Sequence, residues 1–364
     1  MAIEPKLERQ LIDALLRCWY GRGFWACPAL FAPIYLLLLI PLSLLFGSLV
    51  RLRRVLYRFG VFRVERLPVP VIVVGNLNVG GSGKTPLTLA LVQWLRQAGF
   101  TPGIVSRGYG GSARAVMPVQ ADSDPALVGD EPVLMARRVA CPIWIGRKRA
   151  EAGRELLAFH PEVDVLIADD GLQHIALTRD VELVVVDAAR GFGNGRLLPA
   201  GPLREPLARL RQVDAVVVNG ARMEAMPLPT GCPRFSMRIA GANFVNLAEP
   251  ETSVDAAHFV GESVHAIAGI GHPERFFKQL AGLGIDAIPH AFADHHAFVE
   301  SDLPVGTVLM TEKDAVKCAR FSARLDRRDL WFLVVDAVVD AGLKDLIINL
   351  LCQRKRTQNG SKTA

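Results

Sequence analysis

Residues 78–85 read Asn78-Val79-Gly80-Gly81-Ser82-Gly83-Lys84-Thr85. A glycine-rich run ending in Lys-Thr suits one task. Its backbone N–H groups can converge on phosphate oxygens, Lys84 can reach the terminal phosphates of ATP, and the Thr85 hydroxyl can ligate Mg²⁺. An apolar run, Val71-Ile72-Val73-Val74, precedes the loop, and a helical pattern from Leu87 to Leu95 follows it. Strand, loop and helix in that order are the context the motif needs, and the helix N-terminus adds favourable partial charge. The common pattern opens with Gly where this chain has Asn78; asparagine tolerates positive φ, so the loop is expected to close on it. The loop is also similar to the deviant Lys-Gly-Gly-x-Gly-Lys-Thr form of some dimeric ATPases. Val79 stands where that form has its first lysine, so the lysine those dimers supply in trans is absent and nothing here demands a dimer.

Further groups with chemical potential follow. Val163 to Ala168 is an apolar run ending in Asp169-Asp170, the layout of a buried strand that delivers a carboxylate to Mg²⁺. Gly129-Asp130-Glu131-Pro132 opens a helical pattern; these acids suit a base that takes a hydroxyl proton, a metal ligand, or a simple helix cap. Ser106-Arg107-Gly108-Tyr109 follows a strand and could bring Arg107 to an anion. Leu198-Pro199-Ala200-Gly201-Pro202-Leu203-Arg204-Glu205-Pro206 is a rigid loop that could aim Arg204 at a transferring phosphate. Asp294-His295-His296, with His290 nearby, suits a histidine partnering a carboxylate better than a metal site, since no other ligand cluster accompanies it. Thr311-Glu312-Lys313-Asp314 differs from the base-reading N-K-x-D element of GTPases because Lys and Asp are adjacent; a nucleotide-edge contact is what remains.

Elements that could hold these groups can be read along the chain. Strand candidates Val71–Val74, Gly103–Ser106, Pro142–Ile145, Val163–Ala168, Glu182–Val186 and Ala215–Val218 alternate with helical patterns at Pro86–Gln97 and Arg147–Phe159. Such alternation predicts an α/β fold, a parallel sheet covered on both faces, with its binding loops at the carboxyl ends of the strands. A Pro- and Gly-bearing break at Pro227 to Pro233 separates this core, 61–230, from a linker, 231–250. There Arg234–Ile239 and Asn243–Leu247 are expected to pair as a hairpin around Ala240-Gly241-Ala242. A smaller α/β domain, 251–352, should contain strands His265–Ile270, Ile285–His290, Thr307–Met310 and Trp331–Val335 and helices Pro273–Leu283 and Leu343–Leu351. Residues 353–364 are polar and basic and read as a frayed tail.

With 364 residues, 51% hydrophobic and 21% charged, the chain is not disordered and has ample material for a core. A net charge of +6 permits anionic partners without choosing among them. The six cysteines form no C-x-x-C pair, which argues against a zinc site and for free thiols in a reducing compartment. Gly23 to Val50 contains no charged residue. As a helix at about 1.5 Å per residue it would reach roughly 40 Å, enough for a hydrocarbon core of about 30 Å. Pro33 and Pro41 should kink or tilt it. Arg51, Arg53, Arg54, Arg58, Arg63 and Arg66 follow with only Glu65 against them, placing the downstream chain on the cytoplasmic side. Residues 1–60 are therefore read as a membrane-associated region, spanning or monotopic. The long, acid-bearing leader argues against a cleaved signal peptide.

The chain also resembles a known family. Val79 to Thr85, Ser106 to Gly110, Gly129 to Pro132, Asp169-Asp170-Gly171-Leu172-Gln173-His174, Leu198 to Pro206, Asp294 to His296 and Thr311 to Asp314 occur together in the order seen in the tetraacyldisaccharide 4′-kinases of Gram-negative bacteria. The resemblance runs from the apolar segment to roughly Asp336; the D-D-G-L-Q-H run and the L-P-A-G-P-L-R-E-P loop carry most of its specificity. It implies transfer of phosphate from ATP to the 4′-hydroxyl of a tetraacylated glucosamine disaccharide 1-phosphate, a step of lipid A biosynthesis, at the inner membrane. It implies a P-loop core joined to a second α/β domain by a two-stranded linker. It assigns Asp130 as base and His295 as its partner, and Lys84, Thr85, Asp169 and Asp170 to phosphates and Mg²⁺. Glu131, Arg204 and Glu205 match further site positions. Neither nucleic acid nor an obligate protein partner is expected. The alternative function is a membrane-tethered P-loop ATPase acting as a regulator or transport motor; a module that merely holds nucleotide is the third.

Overall fold

The structure is a computed structural model that describes residues 5–21, 28, 31–221, 228–325 and 327–360. Parts of three expectations lie outside these residues: the start of the apolar run, Pro227 at the break, and 361–364 of the tail. The strands are β1 (Val71–Gly75), β2 (Pro102–Ser106), β3 (Met117–Pro118), β4 (Ile143–Ile145), β5 (Val165–Asp169), β6 (Val181–Asp187), β7 (Ala215–Asn219) and β8 (Arg234–Ala240). They continue with β9 (Asn243–Asn246), β10 (Ser253–Asp255), β11 (Val264–Ala268), β12 (Ala287–Ala291), β13 (Val308–Thr311), β14 (Leu330–Leu333) and β15 (Asp336–Val339). One sheet has nine strands in the order β15-β8-β7-β6-β1-β5-β2-β4-β3; the other has six, β10-β9-β14-β13-β11-β12.

The centre of the larger sheet is parallel and its strands are buried throughout. Val71 to Gly75 are all buried, as residues covered by helices on both faces must be. Helix Lys84–Gln97 lays Leu87, Leu91 and Leu95, one per turn, into the core beside Ile72, Val74 and Ile167. At about 25 cal/mol per Å² of buried apolar area, each fully buried leucine contributes roughly 1.5–3 kcal/mol. This packing fixes the helix N-terminus, and so the phosphate loop, at the carboxyl end of β1.

The expected hairpin is not formed. β8 pairs with β7 and β15 in the larger sheet, while β9 pairs with β10 and β14 in the smaller. The linker is two-stranded in a different sense: segments 234–246 and 330–339 run antiparallel, side by side, from one sheet into the other. Gly241 permits the crossing, because a Cβ there would stand 2.0 Å from Val334 O. β15 and the C-terminal helix Ala341–Gly360, read from sequence as part of 251–352 and its tail, pack on the larger sheet. Leu343, Ile347 and Leu351 enter the same core as the phosphate-loop helix. That anchorage keeps residues 353–360 helical where a frayed tail was expected.

At the other end, helix Ala32–Arg58 is long and apolar enough to cross a membrane by length and composition. A soluble core helix would be mostly buried, but only 17% of its apolar window is, and Leu37 and Leu44 are 80% and 69% exposed. The π-helical turn Tyr35–Leu39 lies between Pro33 and Pro41, where the missing proline N–H breaks the regular ladder. The buried face is small and polar and rests on the proline-paced loop. Tyr35 Oη donates to Ala200 O (2.8 Å), Ser43 Oγ to Leu197 O (2.8 Å), and Trp19 Nε1 of helix Pro5–Tyr20 to Pro199 O (3.0 Å). Cys141, Cys232, Cys318 and Cys352 are free thiols. Cys18 is disulfide-bonded, a correction to the reading of free thiols throughout; pairing depends on Cα approach in the folded chain, which spacing does not reveal.

Candidate active site

A cleft of about 660 Å³ runs between the two sheets. Gly80 to Thr85, Arg107, Glu131, Asp169, Asp170 and Arg204 line it from the larger domain; His272, Asp294, His295 and Lys313 line it from the smaller. Gly80 and Gly83 adopt φ of +95° in the loop. Asn78 does not have positive φ, contrary to the expectation for it. Its amide instead donates to Gly191 O (2.7 Å), so the loop is braced from outside and closes on its glycines. Asn78 and Val79 lie at the back of the loop, and Val79 N donates to Pro202 O (2.9 Å). Arg204 N donates to Leu77 O (2.7 Å). The proline-paced loop thus touches the membrane-type helix on one side and the phosphate loop on the other.

β5 delivers Asp169 to the floor of the cleft, where the Thr88 and Ser106 hydroxyls each lie 3.4 Å from its carboxylate. Burial, then the charge of Glu131, pushes the Asp169 carboxyl up to about 7. Asp170 faces the cations: Lys84 Nζ is 3.3 Å from Oδ1 and Arg204 Nη1 3.5 Å from Oδ2. Burial works against its charge, but Lys84 and Arg204 outweigh that and hold the carboxyl below its ordinary range. The Lys84 contact is an ion pair of poor hydrogen-bond direction, since Asp170 Oδ1 is buried with no hydrogen-bond partner. Arg149, seen in the sequence only as a helix start, is buried behind these acids and donates to Gly146 O (2.7 Å) and Asp169 O (3.3 Å).

Asp130, only 4% exposed, opens helix Asp130–Arg138 of the larger domain and accepts from Nδ1 of His295, which reaches across from the smaller domain, at 3.0 Å. Burial alone would raise the Asp130 carboxyl; the His295 hydrogen bond and Lys313 outweigh it and hold it low. The Asp130 hydrogen bond raises the His295 imidazole in return, against burial. Lys313 Nζ lies 3.2 Å from Glu131, 3.3 Å from Asp294 and 3.4 Å from His295 Nε2. Tyr109 packs its ring 5.0 Å from that of His295. Among the described residues, the non-glycine positions with positive φ are Asp170 (+47°) and His295 (+59°). Left-handed backbone costs energy for a side chain bearing Cβ, so two strained residues facing one cleft mark it as the functional site.

Several expected residues sit elsewhere. Glu205 turns away from the cleft toward Arg54 and Arg209, each 3.5 Å away. His290 pairs with His265 (3.0 Å) and His296 with Asp302 (2.8 Å), so neither joins His295. Asp314 is structural: it accepts from Gly269 N (3.0 Å) and Thr311 Oγ1 (2.6 Å), tying β11 to β13. Among the described residues no cluster of three His, Cys, Asp or Glu forms a ready metal cage.

The comparisons with known proteins agree with this geometry. The family model described as Tetraacyldisaccharide-1-P 4'-kinase, LpxK, matches residues 35–352. The tetraacyldisaccharide 4'-kinase of Azoarcus sp. is 52% identical over 318 residues, 86% of this chain and 92% of its own. That of Chromobacterium violaceum is 51% identical over 327 residues, 89% and 95% respectively. A crystal structure of LpxK from Aquifex aeolicus, an "apo" form in complex with ATP, superposes with a TM-score of 0.72 at 30% identity. It covers 86% of this chain and 98% of that one. With a parallel-sheet phosphate cradle, a carboxylate–histidine pair across the cleft and these relatives spanning most of its length, the chain belongs to the tetraacyldisaccharide 4'-kinase family.

Proposed function

We propose that this chain transfers the terminal phosphoryl group of ATP to the 4′-hydroxyl of an acylated glucosamine disaccharide 1-phosphate, at the cytoplasmic face of the inner membrane. The observation that carries the mechanism is the cleft itself, with Lys84 and Thr85 on the wall from the larger domain, His295 on the wall from the smaller, and Asp130 bonded to His295. Asp130 takes the proton of the sugar hydroxyl as its oxygen bonds to the terminal phosphorus. The bridging P–O bond breaks, and ADP leaves with the electron pair. A hydroxyl is a poor nucleophile until its proton has an acceptor. Asp130 is suited to be one because His295 and Lys313 keep it ionised while buried. His295 fixes the orientation of the carboxylate, and Lys84 and Arg204 offset charge on the phosphoryl group.

Thr85, Asp169, Asp170 and Glu131 are the residues that would hold Mg²⁺. The donor set fits: all are oxygen ligands, the Asp170 Oδ1 atom is buried without a hydrogen-bond partner, and like-charge Glu131 destabilises ionised Asp169. Mg²⁺ is commonly held by one or two carboxylates together with substrate phosphates, so a complete protein cage is not required. Bound there, it supplies positive charge to the phosphate oxygens.

The exposed leucines of helix Ala32–Arg58 support monotopic or spanning contact with lipid, and the arginines after Val50 suit an anionic cytoplasmic leaflet. An acceptor with four acyl chains does not leave a bilayer readily, so the enzyme must meet it there. The test is phosphate transfer by the purified chain with ATP and Mg²⁺, with and without the acylated disaccharide in mixed micelles. Labelled lipid product that requires the acceptor supports the kinase. Hydrolysis of ATP at one rate in both cases overturns it in favour of an ATPase.

A further inference from the structure

Arg190 has no place in the chemistry described so far, yet its guanidinium sits on the phosphate loop. Among the loop's three glycines, Gly80 alone faces a cation: a Cβ at Gly80 would stand 2.8 Å from Arg190 Nη1, whereas Gly81 has nothing near and Gly83 faces the Asn219 amide. The loop lacks a lysine at Val79, so this part of the cradle has no cation of its own. Arg190 is delivered by the turn after β6, where Asp187 Oδ1 accepts from Ala189 N at 2.8 Å and Arg190 N at 3.4 Å.

The second domain holds the guanidinium from the other side. Arg190 Nη2 donates to His272 Nδ1 (3.1 Å) and lies 3.4 Å from Gly271 O. The turn carrying them rests on the loop, since a Cβ at Gly271 would be 3.5 Å from Gly81 N. Arginine can only donate, so His272 Nδ1 must accept and its proton must sit on Nε2. Burial, with the Arg190 charge beside it, drives the His272 imidazole down to about 4, which keeps it neutral. Its Nε2–H is buried without a partner, and His272 lines the cleft.

We propose that Arg190 is a further catalytic residue, a cation supplied within the chain that touches the terminal phosphate, and that His272 is the positioning residue that aims it when the domains close. The proposal rests on the phosphotransfer reading above. As the bond from the bridging oxygen to the terminal phosphorus breaks, charge spreads over the phosphoryl oxygens, and a forked guanidinium can meet two of them at once. No proton moves to or from Arg190. The rival role is structural, because Arg190 also lies over the Tyr20 ring at 5.1 Å.

The experiment compares the unaltered chain with Arg190→Ala, Arg190→Lys and His272→Ala, measuring lipid phosphorylation at saturating substrates and ATP affinity by nucleotide titration. For Arg190→Ala, kcat is expected to fall by about 10²–10³-fold, as for loss of one preorganised donor, while the Kd for ATP changes by less than about fivefold. Arg190→Lys should restore part of kcat, since it keeps the charge and loses the fork. His272→Ala should cost about tenfold alone and add almost nothing to Arg190→Ala, the sign of one shared interaction. If the unaltered chain phosphorylates lipid and Arg190→Ala keeps kcat within about threefold of it, the proposal fails and the parent reading stands. Parallel loss of ATP binding and transfer assigns Arg190 the structural role and also overturns it. An unaltered chain that phosphorylates no lipid removes the parent reading, and this one with it.

Discussion

Replacing Asp130 with asparagine isolates the proton acceptor. The side chain is 4% exposed, so the nearly isosteric amide leaves packing unchanged. Its single amide oxygen can still accept from Glu131 N, now 2.9 Å from Oδ1, while the amide NH2 replaces the Oδ2 that stands 3.0 Å from His295 Nδ1, so that bond persists only with the imidazole proton on Nε2 and the amide donating. Lys313 keeps Glu131 and Asp294 as partners, so no cation is orphaned. The structural cost is the difference between a charged and a neutral hydrogen bond, about 1–2 kcal/mol. The catalytic cost is that of a general base, about 10²–10⁴-fold in rate or roughly 2.7–5.4 kcal/mol at 1.36 kcal/mol per decade. The second is larger and is read separately. Initial rates of phosphate transfer to the lipid at saturating ATP give kcat, and titration with nucleotide gives ATP affinity, expected unchanged. A kcat for Asp130→Asn within about tenfold of the unaltered chain would refute the assignment of Asp130 as base.

Lys84→Ala should lose turnover by about 10²-fold or more while thermal stability holds, because its partner Asp170 keeps Arg204; comparable kcat in the variant would undo the phosphate-loop reading. Acidification through the raised His295 pKa places an imidazolium against Asp130 and weakens it as a proton acceptor. The rate should therefore fall on the acid side with a midpoint above the ordinary histidine value of about 6.5. His295→Gln should abolish that limb; an unmoved midpoint assigns it to another group. Leu37→Asp with Leu44→Asp, both on the exposed face, should weaken vesicle binding by about 10²-fold or more, since each acid buried in lipid costs up to about 2.5–3.5 kcal/mol. Undiminished flotation with vesicles would reject the lipid-contact reading. Tyr35→Phe removes the hydroxyl bound to Ala200 O and should cost about 1 kcal/mol, seen as a melting shift of a few degrees; an unchanged melting temperature would show that bond to be idle.

Much of the larger domain was legible because its central strands are rich in valine, isoleucine and leucine and its loops are dense in glycine and proline. Asp130 and His295 could be named through family resemblance, but their contact spans the gap between domains and no local period encodes it. The same holds for Lys313, Arg190 and His272, which earn attention only once the second domain closes on the first. The hairpin failed for a local reason. Two β-rich runs separated by Ala240-Gly241-Ala242 look like a hairpin, yet the glycine is there to clear Val334 O as one continuous strand path changes sheets. β15 was missed because Asp336-Ala337-Val338-Val339 is short and follows β14 directly.

The larger sheet is completed by the end of the chain, β15 beside β8 and the C-terminal helix against Leu87 and Leu91. The helix behind the phosphate loop is therefore covered by residues that lie beyond the whole second domain in sequence, a contact of long separation whose loop-closure entropy must be met before it forms. Trimming that returning segment would loosen the nucleotide cradle from behind without touching any residue that lines it.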